Sequence, residues 1–271
     1  MKNVFKITNK YIVLLTPLLL YSLFSSIYLA VSAMGGNVYM LFFALILFFF
    51  MTAAFSSGWF YMIKLATINN IKEPNSLIKE FTSGVGEYIL PSLGLLINVL
   101  IISILMLVIS CKLGLLLIGD VGISIETFAK AFENTATLKA FIAGLSQEDL
   151  IKISNWNLLL LGTISLTYFI LMLYLPALFF ESKNPFKALI ISLKRLFSKK
   201  FLNAIVIYVL IFITNFILSL LATIFANNTI IHFLITLANF YFITLVSVGI
   251  FYYYYKTFII NKLGQNIDIK A

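Results

Sequence analysis

Few side chains in this sequence could do acid–base or metal chemistry, and those that could lie near the ends of long apolar runs. Glu87 begins one run and Glu181 ends another. Two carboxylates on one rim could bind a cation, but we expect ion pairs with nearby lysines instead. His232, the single histidine, lies near the end of the last run. It could relay protons, but we expect a structural role because interfacial water reaches that depth.

Three amide side chains lie deeper in the apolar runs: Asn98, Asn215 and Asn239. Amides within membrane helices commonly join neighbouring helices through hydrogen bonds worth about 0.6 to 2 kcal/mol. The same residues could instead line a polar cavity for a small ligand. We expect the helix-joining role for the amides. Together with His232, they are the candidate polar groups within the membrane.

The sequence lacks the motifs of catalysis and of cofactor binding. A single histidine and a single cysteine cannot supply a zinc ligand set, and there is no HExxH helix, GxSxG elbow or Walker loop. Gly84 and Gly86 form an isolated GxG, which we interpret as a hinge and not as a phosphate cradle. An intramembrane enzyme would need a nucleophile and a base within hydrogen-bond reach. We therefore predict no catalytic residue, no cofactor and no metal, and a protein that is not an enzyme.

The elements that must position these residues are six apolar runs of 24 to 27 residues without Asp, Glu, Lys or Arg. As helices, all are long enough to cross the hydrocarbon core, which needs about 20 residues. Hydrophobic residues make up 62% of the chain and charged residues 11%, a balance that a soluble core does not explain. We predict an all-α polytopic membrane protein, a single domain over residues 1–271, with spans at Tyr11–Met34, Val38–Ile63, Tyr88–Cys111, Trp156–Phe180, Phe201–Ala226 and Thr229–Tyr255.

The placement of charge predicts the orientation of the spans. Segments 1–10, 64–87, 181–200 and 256–271 hold 15 of the 19 Lys and Arg residues. Basic connections remain in the cytoplasm, so both termini are predicted to be cytoplasmic, with the chain in the plasma (inner) membrane. The first run is longer than the core of a signal peptide, and we expect it to be a retained helix. The net charge of +9 suits anionic headgroups, so we expect membrane lipids as partners and no nucleic acid.

Two of the basic connections have a proline followed by a short helical pattern, at Pro74 and at Pro185. Proline suits the first turn of a helix, so we expect a short surface helix to begin at each. Span, surface helix and span would then occur twice in the same orientation. This favours a parallel repeat of residues 38–111 and 156–226. Two short connections of a membrane protein can also resemble each other without any repeat.

The second surface helix is predicted to be amphipathic. Apolar residues recur at three- and four-residue steps from Phe186 through Leu189, Ile190, Leu193 and Leu196 to Phe197. Basic side chains lie toward other faces, as expected of a helix at a bilayer surface. The residues that we expect to contact lipid or a protein partner are Phe186, Lys187, Leu193, Lys194 and Arg195.

On the opposite side of the membrane, residues 120–155 also show helical periodicity. Ile125, Phe128, Phe132, Leu138, Ile142 and Leu145 keep roughly to one face. Ser146 and Asp149 have the spacing of a capping box for a second short helix. Such helices could form a lid, or they could pack over the loops and shield them from lipid. We expect packing.

A family resemblance is carried by residues 175–192. Leu175, Pro176, Glu181, Asn184, Pro185 and the stretch 188–192 combine a proline, an acid and a surface helix before the next span. In this the chain resembles uncharacterised six-helix membrane-protein families of Gram-positive bacteria, related to the membrane domain that accompanies some glycerophosphodiester phosphodiesterases. The likeness covers chiefly residues 170–255, with an echo at 57–90. It implies a bacterial inner-membrane protein and carries over no catalytic residue, because the phosphodiesterase chemistry belongs to a separate soluble domain.

Three functions are compatible with these patterns. The first, which we favour, is a scaffold or accessory protein that acts through lipid or partner binding, because ionisable groups within the spans are scarce. The second is a transport subunit, a permease-like partner of a separate ATPase, with the surface helices as docking elements. The third is an intramembrane enzyme that would depend on Glu87 or His232.

Overall fold

The computed structural model describes residues 2–33, 38–68, 73–122, 127, 130–131 and 135–260. Within these ranges the regular elements are helices and no strand occurs, which confirms the all-α class. Short 3₁₀ helices span Ile12–Leu14 and Pro74–Lys79, and a π-helical turn spans Tyr255–Ile260. The α-helices are α1 (Lys2–Lys10), α2 (Leu15–Ala33), α3 (Val38–Thr67), α4 (Glu80–Leu117), α5 (Thr135–Gly144), α6 (Gln147–Leu171), α7 (Tyr174–Phe180), α8 (Pro185–Leu196), α9 (Phe201–Ile224) and α10 (Thr229–Tyr254).

The six predicted membrane spans are confirmed. Among the described residues, six helical stretches are long and apolar enough to cross a membrane. The protein is therefore a multi-pass integral membrane protein. These stretches are Ile12–Ala30, Phe42–Thr67, Ser76–Leu117, Gln147–Phe180, Phe201–Ile224 and Thr229–Ile260.

Several helices end at other residues than the apolar runs do. Helix α4 has 38 residues, although its apolar run has 24, because backbone hydrogen bonds continue past Glu87 at one end and Cys111 at the other. The fourth span is interrupted after Leu171 and resumes at Tyr174. Pro176 lies in the first turn of the new helix, where its missing N–H leaves no intrahelical bond unmade. Met34, the last residue of the first predicted span, lies outside the described residues.

The chain divides into two compact units, of which the first comprises Met1–Asn98 and Ile170–Ala271. Its interior is aromatic: the rings of Phe60 and Phe251 stack with centroids 5.7 Å apart, and Phe179 lies 6.2 Å from Phe60. The indole N–H of Trp59 donates a hydrogen bond of 2.8 Å to the Leu14 carbonyl. The described side chains in this interior therefore link the beginning of the first span to α3, α7 and α10.

Helix α1 packs along α10, so the two ends of the described chain meet. The amide of Asn3 donates to the Tyr252 hydroxyl over 2.9 Å, and the Tyr241 hydroxyl donates to Asn9 over 2.6 Å. Because low numbers pair with high ones in reverse order, the two helices run antiparallel.

Helices α3 and α4 approach each other closely at small residues. A Cβ added to Gly84 would lie 2.5 Å from the Cβ of Tyr61 and 2.9 Å from the Ser57 carbonyl oxygen. On the facing helix, a Cβ at Gly58 would lie 2.6 Å from the ring of Phe81. The absence of side chains at Gly58 and Gly84 thus lets the two helices approach closely. The hinge expected at Gly84 and Gly86 is wrong, because both glycines lie inside α4.

The second unit comprises Val99–Phe169. In it the Thr163 hydroxyl donates to Ser110 over 2.7 Å, and the Trp156 indole donates to the Gly119 carbonyl over 3.1 Å. Gly119 has a φ of 84° just after α4, a left-handed conformation typical of a helix C-terminus. Gly119 therefore ends the helix that leaves the third span.

The predicted capping box is present, but the helix that it begins is not a separate short one. The Asp149 N–H donates to the Ser146 hydroxyl over 3.1 Å, and that hydroxyl donates to the Asp149 carboxylate over 2.6 Å. The helix continues as α6 through the fourth span to Leu171, which corrects the expectation of a second surface helix. Ile125, Phe128 and Phe132 lie outside the described residues, so the choice between lid and packing stays open.

Candidate functional site

The best-defined polar cluster joins the ends of α7, α8 and α10. The Arg195 guanidinium donates to both oxygens of Glu181, with Nε–Oε1 at 3.2 Å and Nη2–Oε2 at 3.0 Å. The Tyr254 hydroxyl donates to the same carboxylate, and the guanidinium carbon lies 5.2 Å above the Phe258 ring. The hydrogen bond to Glu181 raises the pKa of Arg195 above its ordinary value. A bidentate pair of this kind fixes orientation as well as distance.

The start of α8 is positioned from within the first unit. Asn184 caps the helix, its side-chain oxygen accepting from the Lys187 N–H over 3.1 Å, and Pro185 occupies the first helical position. The ring of Pro185 lies against Gly94 of α4, where a Cβ would be 2.5 Å from Pro185 Cγ. Only a residue without a side chain permits this approach, so α8 is held against α4 at its N-terminus.

A buried chain of hydrogen bonds also holds the N-terminus of α8. The Asn98 amide donates to the Tyr174 hydroxyl over 2.8 Å, and that hydroxyl donates to the Pro185 carbonyl over 3.0 Å. Asn98 is 3% exposed and Tyr174 is 1% exposed. The prediction that Asn98 joins helices is confirmed. The partner of Asn98, Tyr174, was not predicted from the sequence. A tyrosine within an apolar run is itself a signal, because a buried hydroxyl requires a hydrogen-bond partner.

A second cluster contains Lys64, Glu87, Tyr88 and Lys183. Lys183 pairs with Glu87 over 2.9 Å, and Lys64 donates to the Tyr88 hydroxyl over 3.1 Å. The Lys183 ammonium also lies 5.3 Å from the centre of the Tyr88 ring. The carboxylate of Glu87 is therefore compensated within its own cluster.

The two carboxylates considered for a shared cation have separate partners. Glu87 pairs with a lysine as expected, whereas Glu181 pairs with Arg195 and not with a lysine. In the described ranges, no three His, Cys, Asp or Glu side chains lie close enough to hold a metal ion. The geometry that is present stabilises helix ends and does not resemble an acid–base pair.

Helix α8 has one face on the protein and one face exposed. Ala188, Ser192 and Leu196 are buried, which shows that Leu196 does not share the apolar face of Phe186 as the sequence pattern suggested. Phe186 and Ile190 are 62% and 55% exposed, and Phe197 beyond the helix end is 62% exposed. The buried face carries the small residues because only these let the helix approach its neighbours closely.

Lysines border this exposed apolar strip. At about 100° per residue, Lys187 and Lys194 lie roughly 80 to 100° from Phe186, whereas Arg195 lies on the opposite side, toward Glu181. Both lysines are exposed. Of the five contact residues predicted from the sequence, Phe186, Lys187 and Lys194 are exposed, Leu193 is half-buried and Arg195 binds Glu181.

The other polar candidates within the membrane do not join these clusters. Asn215 in α9 and both Asn239 and His232 in α10 have exposed side chains, and the described hydrogen bond of the Asn98 side chain goes to Tyr174 and to none of these three. The helix-joining role expected for Asn215 and Asn239 is thus not met within the described chain.

Comparison with family models, with curated proteins and with solved structures finds no match for this chain. The resemblance carried by residues 175–192 therefore stays a prediction, and so does the parallel repeat. No similar protein therefore indicates the function, and the geometry of the site is the basis for it.

Proposed function

We propose that this integral membrane protein is a non-enzymatic scaffold or accessory protein whose helix α8 binds anionic lipid headgroups at the membrane surface. The single observation that carries the proposal is the exposed strip of Phe186, Ile190 and Phe197 bordered by Lys187 and Lys194 on a helix fixed from its other side. We call these five residues, with Lys199 and Lys200 that follow them, the α8 surface.

The lengths of the connections support a location of α8 at the boundary between hydrocarbon and water. Four residues separate α7 from α8 and four separate α8 from α9. Because α7 ends one span and α9 begins the next, α8 cannot extend far from the ends of either. An apolar strip at that level reaches the acyl chains, while lysines beside it reach the headgroups.

The charge of the α8 surface suits an anionic partner. No Asp or Glu occurs between Ser182 and Ala226. Arg195 and Lys183 are paired with Glu181 and Glu87, whereas Lys187, Lys194, Lys199 and Lys200 make no ion pair within the described ranges. A lysine close to an anionic surface gains roughly 1 kcal/mol, so the four together contribute at most about 4 kcal/mol at low salt.

The same basic charge supports a cytoplasmic location of α8, whereas the proposal of a bacterial inner membrane rests on the resemblance carried by residues 175–192. Basic connections are retained on the cytoplasmic side, so α8 and both termini are proposed to be cytoplasmic. The cytoplasmic leaflet is also where anionic lipid gives the surface its negative potential.

The test is lipid selectivity in bilayers of mixed neutral and anionic lipid. The relative association of spin-labelled phosphatidylglycerol and phosphatidylcholine is measured in nanodiscs at low and high salt. The wild-type chain is expected to prefer the anionic lipid, with a preference that falls as salt rises. Replacing the four unpaired lysines should abolish the preference: Lys187→Gln, Lys194→Gln, Lys199→Gln and Lys200→Gln.

A matched control removes the same number of charges from residues 112–155. The control carries Lys112→Gln, Lys130→Gln, Lys139→Gln and Lys152→Gln and should retain the preference. Equal selectivity in both quadruple variants, or none in the wild type, contradicts the proposal. If selectivity is absent and a nucleotide-binding protein co-purifies with the wild type but not with Phe186→Asp, the α8 surface belongs to a transport subunit instead.

A further inference from the structure

Helices α9 and α10 are the least enclosed of the six spans. In their most apolar stretches 6% and 11% of residues are buried, against 17 to 22% in the other four. Along the half of α9 that leads to the loop at 225–228, most side chains are exposed, and the half-buried ones, Leu218, Leu221 and Ala222, lie on one side of the helix. A lipid-facing surface of this kind should be uniformly apolar.

Two amides interrupt that apolar surface at the same level of the membrane. Asn215 lies nine residues before the end of α9 and Asn239 lies ten residues after the start of α10. At 1.5 Å per residue both are about 14 to 15 Å from the connecting loop, which is close to the middle of a 30 Å hydrocarbon core. Both side chains are exposed.

Neither amide makes a hydrogen bond with another residue of the described chain, although other polar residues of the same helices do. Thr214 donates to the Leu210 carbonyl over 2.9 Å, and Thr236 donates to the His232 carbonyl over 2.9 Å. A hydroxyl can bond in this way to its own helix, one turn back. An asparagine amide has more donors and acceptors than such a bond within its own helix can satisfy. Acyl chains of the lipid offer no hydrogen-bonding partner for the rest.

We propose that the surface of α9 around Asn215 and the surface of α10 around Asn239 bind a second copy of this chain. A side-chain amide is both donor and acceptor, so it is complementary to itself. A two-fold axis along the membrane normal places equal depths opposite each other, and these two amides share one depth. Every pairing of Asn215 and Asn239 across that axis therefore brings amide to amide. The interface does not involve the α8 surface and does not depend on lipid binding there.

The test measures dimerisation in neutral lipid bilayers, by single-molecule subunit counting of the full chain over a range of protein-to-lipid ratios. The wild type is expected to be dimeric at the higher ratios. The double variant Asn215→Leu, Asn239→Leu should weaken dimerisation by about 3- to 30-fold for each amide bond lost. The conservative variants Asn215→Gln and Asn239→Gln should retain it. The control Thr214→Val, Thr236→Val removes polar groups that are already satisfied and should leave dimerisation unchanged.

Cross-linking gives a second readout that does not require a stable leucine variant. In a Cys111→Ser background, a disulfide-linked dimer should form on mild oxidation from Asn215→Cys alone, from Asn239→Cys alone or from the two together. Ile217→Cys, about 200° around the helix, should not. A chain that stays monomeric at every ratio overturns the proposal. Dimers that survive the leucine variants, or that cross-link from Ile217→Cys as readily as from the cysteines at positions 215 and 239, also overturn it.

Discussion

Loss of the bidentate pair between Glu181 and Arg195 should release the C-terminal end of α8 from the rest of the first unit. The carboxylate is 12% exposed and the guanidinium side chain 30% exposed, so water screens the pair only in part. Replacing Arg195 by glutamine leaves Glu181 with Tyr254 as its remaining partner among the hydrogen bonds described above.

The magnitude follows from that burial. Removing one partner of a fully buried ion pair costs about 3 to 5 kcal/mol, and partial exposure lowers the expected loss for Arg195→Gln to about 2 to 3 kcal/mol. Glu181→Gln should cost less, because a neutral amide can still accept from the arginine and from Tyr254. In the double variant the losses should be less than additive, since both changes break one interaction.

The free energy of unfolding is measured by titrating the folded protein with a denaturing detergent. Hydrogen exchange of residues 185–196 reports whether the loss is localised at α8. Lys194→Gln is the matched control, because Lys194 is exposed and unpaired within the described chain, and it should change stability by less than about 0.5 kcal/mol. The reasoning is refuted if Arg195→Gln is no more destabilising than Lys194→Gln, or if exchange at α8 is unaltered.

Two further predictions concern the helix contacts that position α8 and its neighbours. Gly84→Ala should destabilise the protein by about 1 to 3 kcal/mol because the new methyl group meets Tyr61. Gly86→Ala has open space around the new methyl group and should be neutral or slightly stabilising. Equal unfolding free energies for the two variants would contradict the close approach of α3 and α4. Asn98→Leu should lower the free energy of unfolding by about 0.6 to 2 kcal/mol. Tyr174→Phe should lower it more, because both the Asn98 amide and the Pro185 carbonyl then lose the hydroxyl that they bind. Detergent titration should rank the two variants in that order, and the reverse order would show that the hydrogen-bond chain is not the cause.

The spans could be predicted from the sequence because their length and lack of charge are local properties. A run of 24 apolar residues such as Tyr88–Cys111 is a span whatever it packs against. The ends of helices were less predictable, since α4 begins at Glu80 and continues through charged positions with its backbone bonds intact. Charge marks where lipid ends, and a helix can continue into water.

The candidate site was harder to predict because its contacts join distant parts of the chain. Glu181 has nearby lysines in sequence, but its partner is an arginine 14 residues away and a tyrosine 73 residues away. The buried face of α8 was predicted wrongly at Leu196 because the periodicity of apolar residues was taken to mark one face. In lipid, apolar surface is not driven inward, so shape decides which face packs, and the small Ala188 and Ser192 mark the buried side.

The antiparallel contact between α1 and α10 has a consequence for biogenesis. Asn9 and Tyr241 are 232 residues apart, so at ribosomal speeds of 5 to 20 residues per second about 10 to 50 seconds pass between their syntheses. During that time α1 has no α10 to pack against and must rest on the membrane or be held by the insertion machinery. The first unit is therefore completed only after the sixth span has been synthesised.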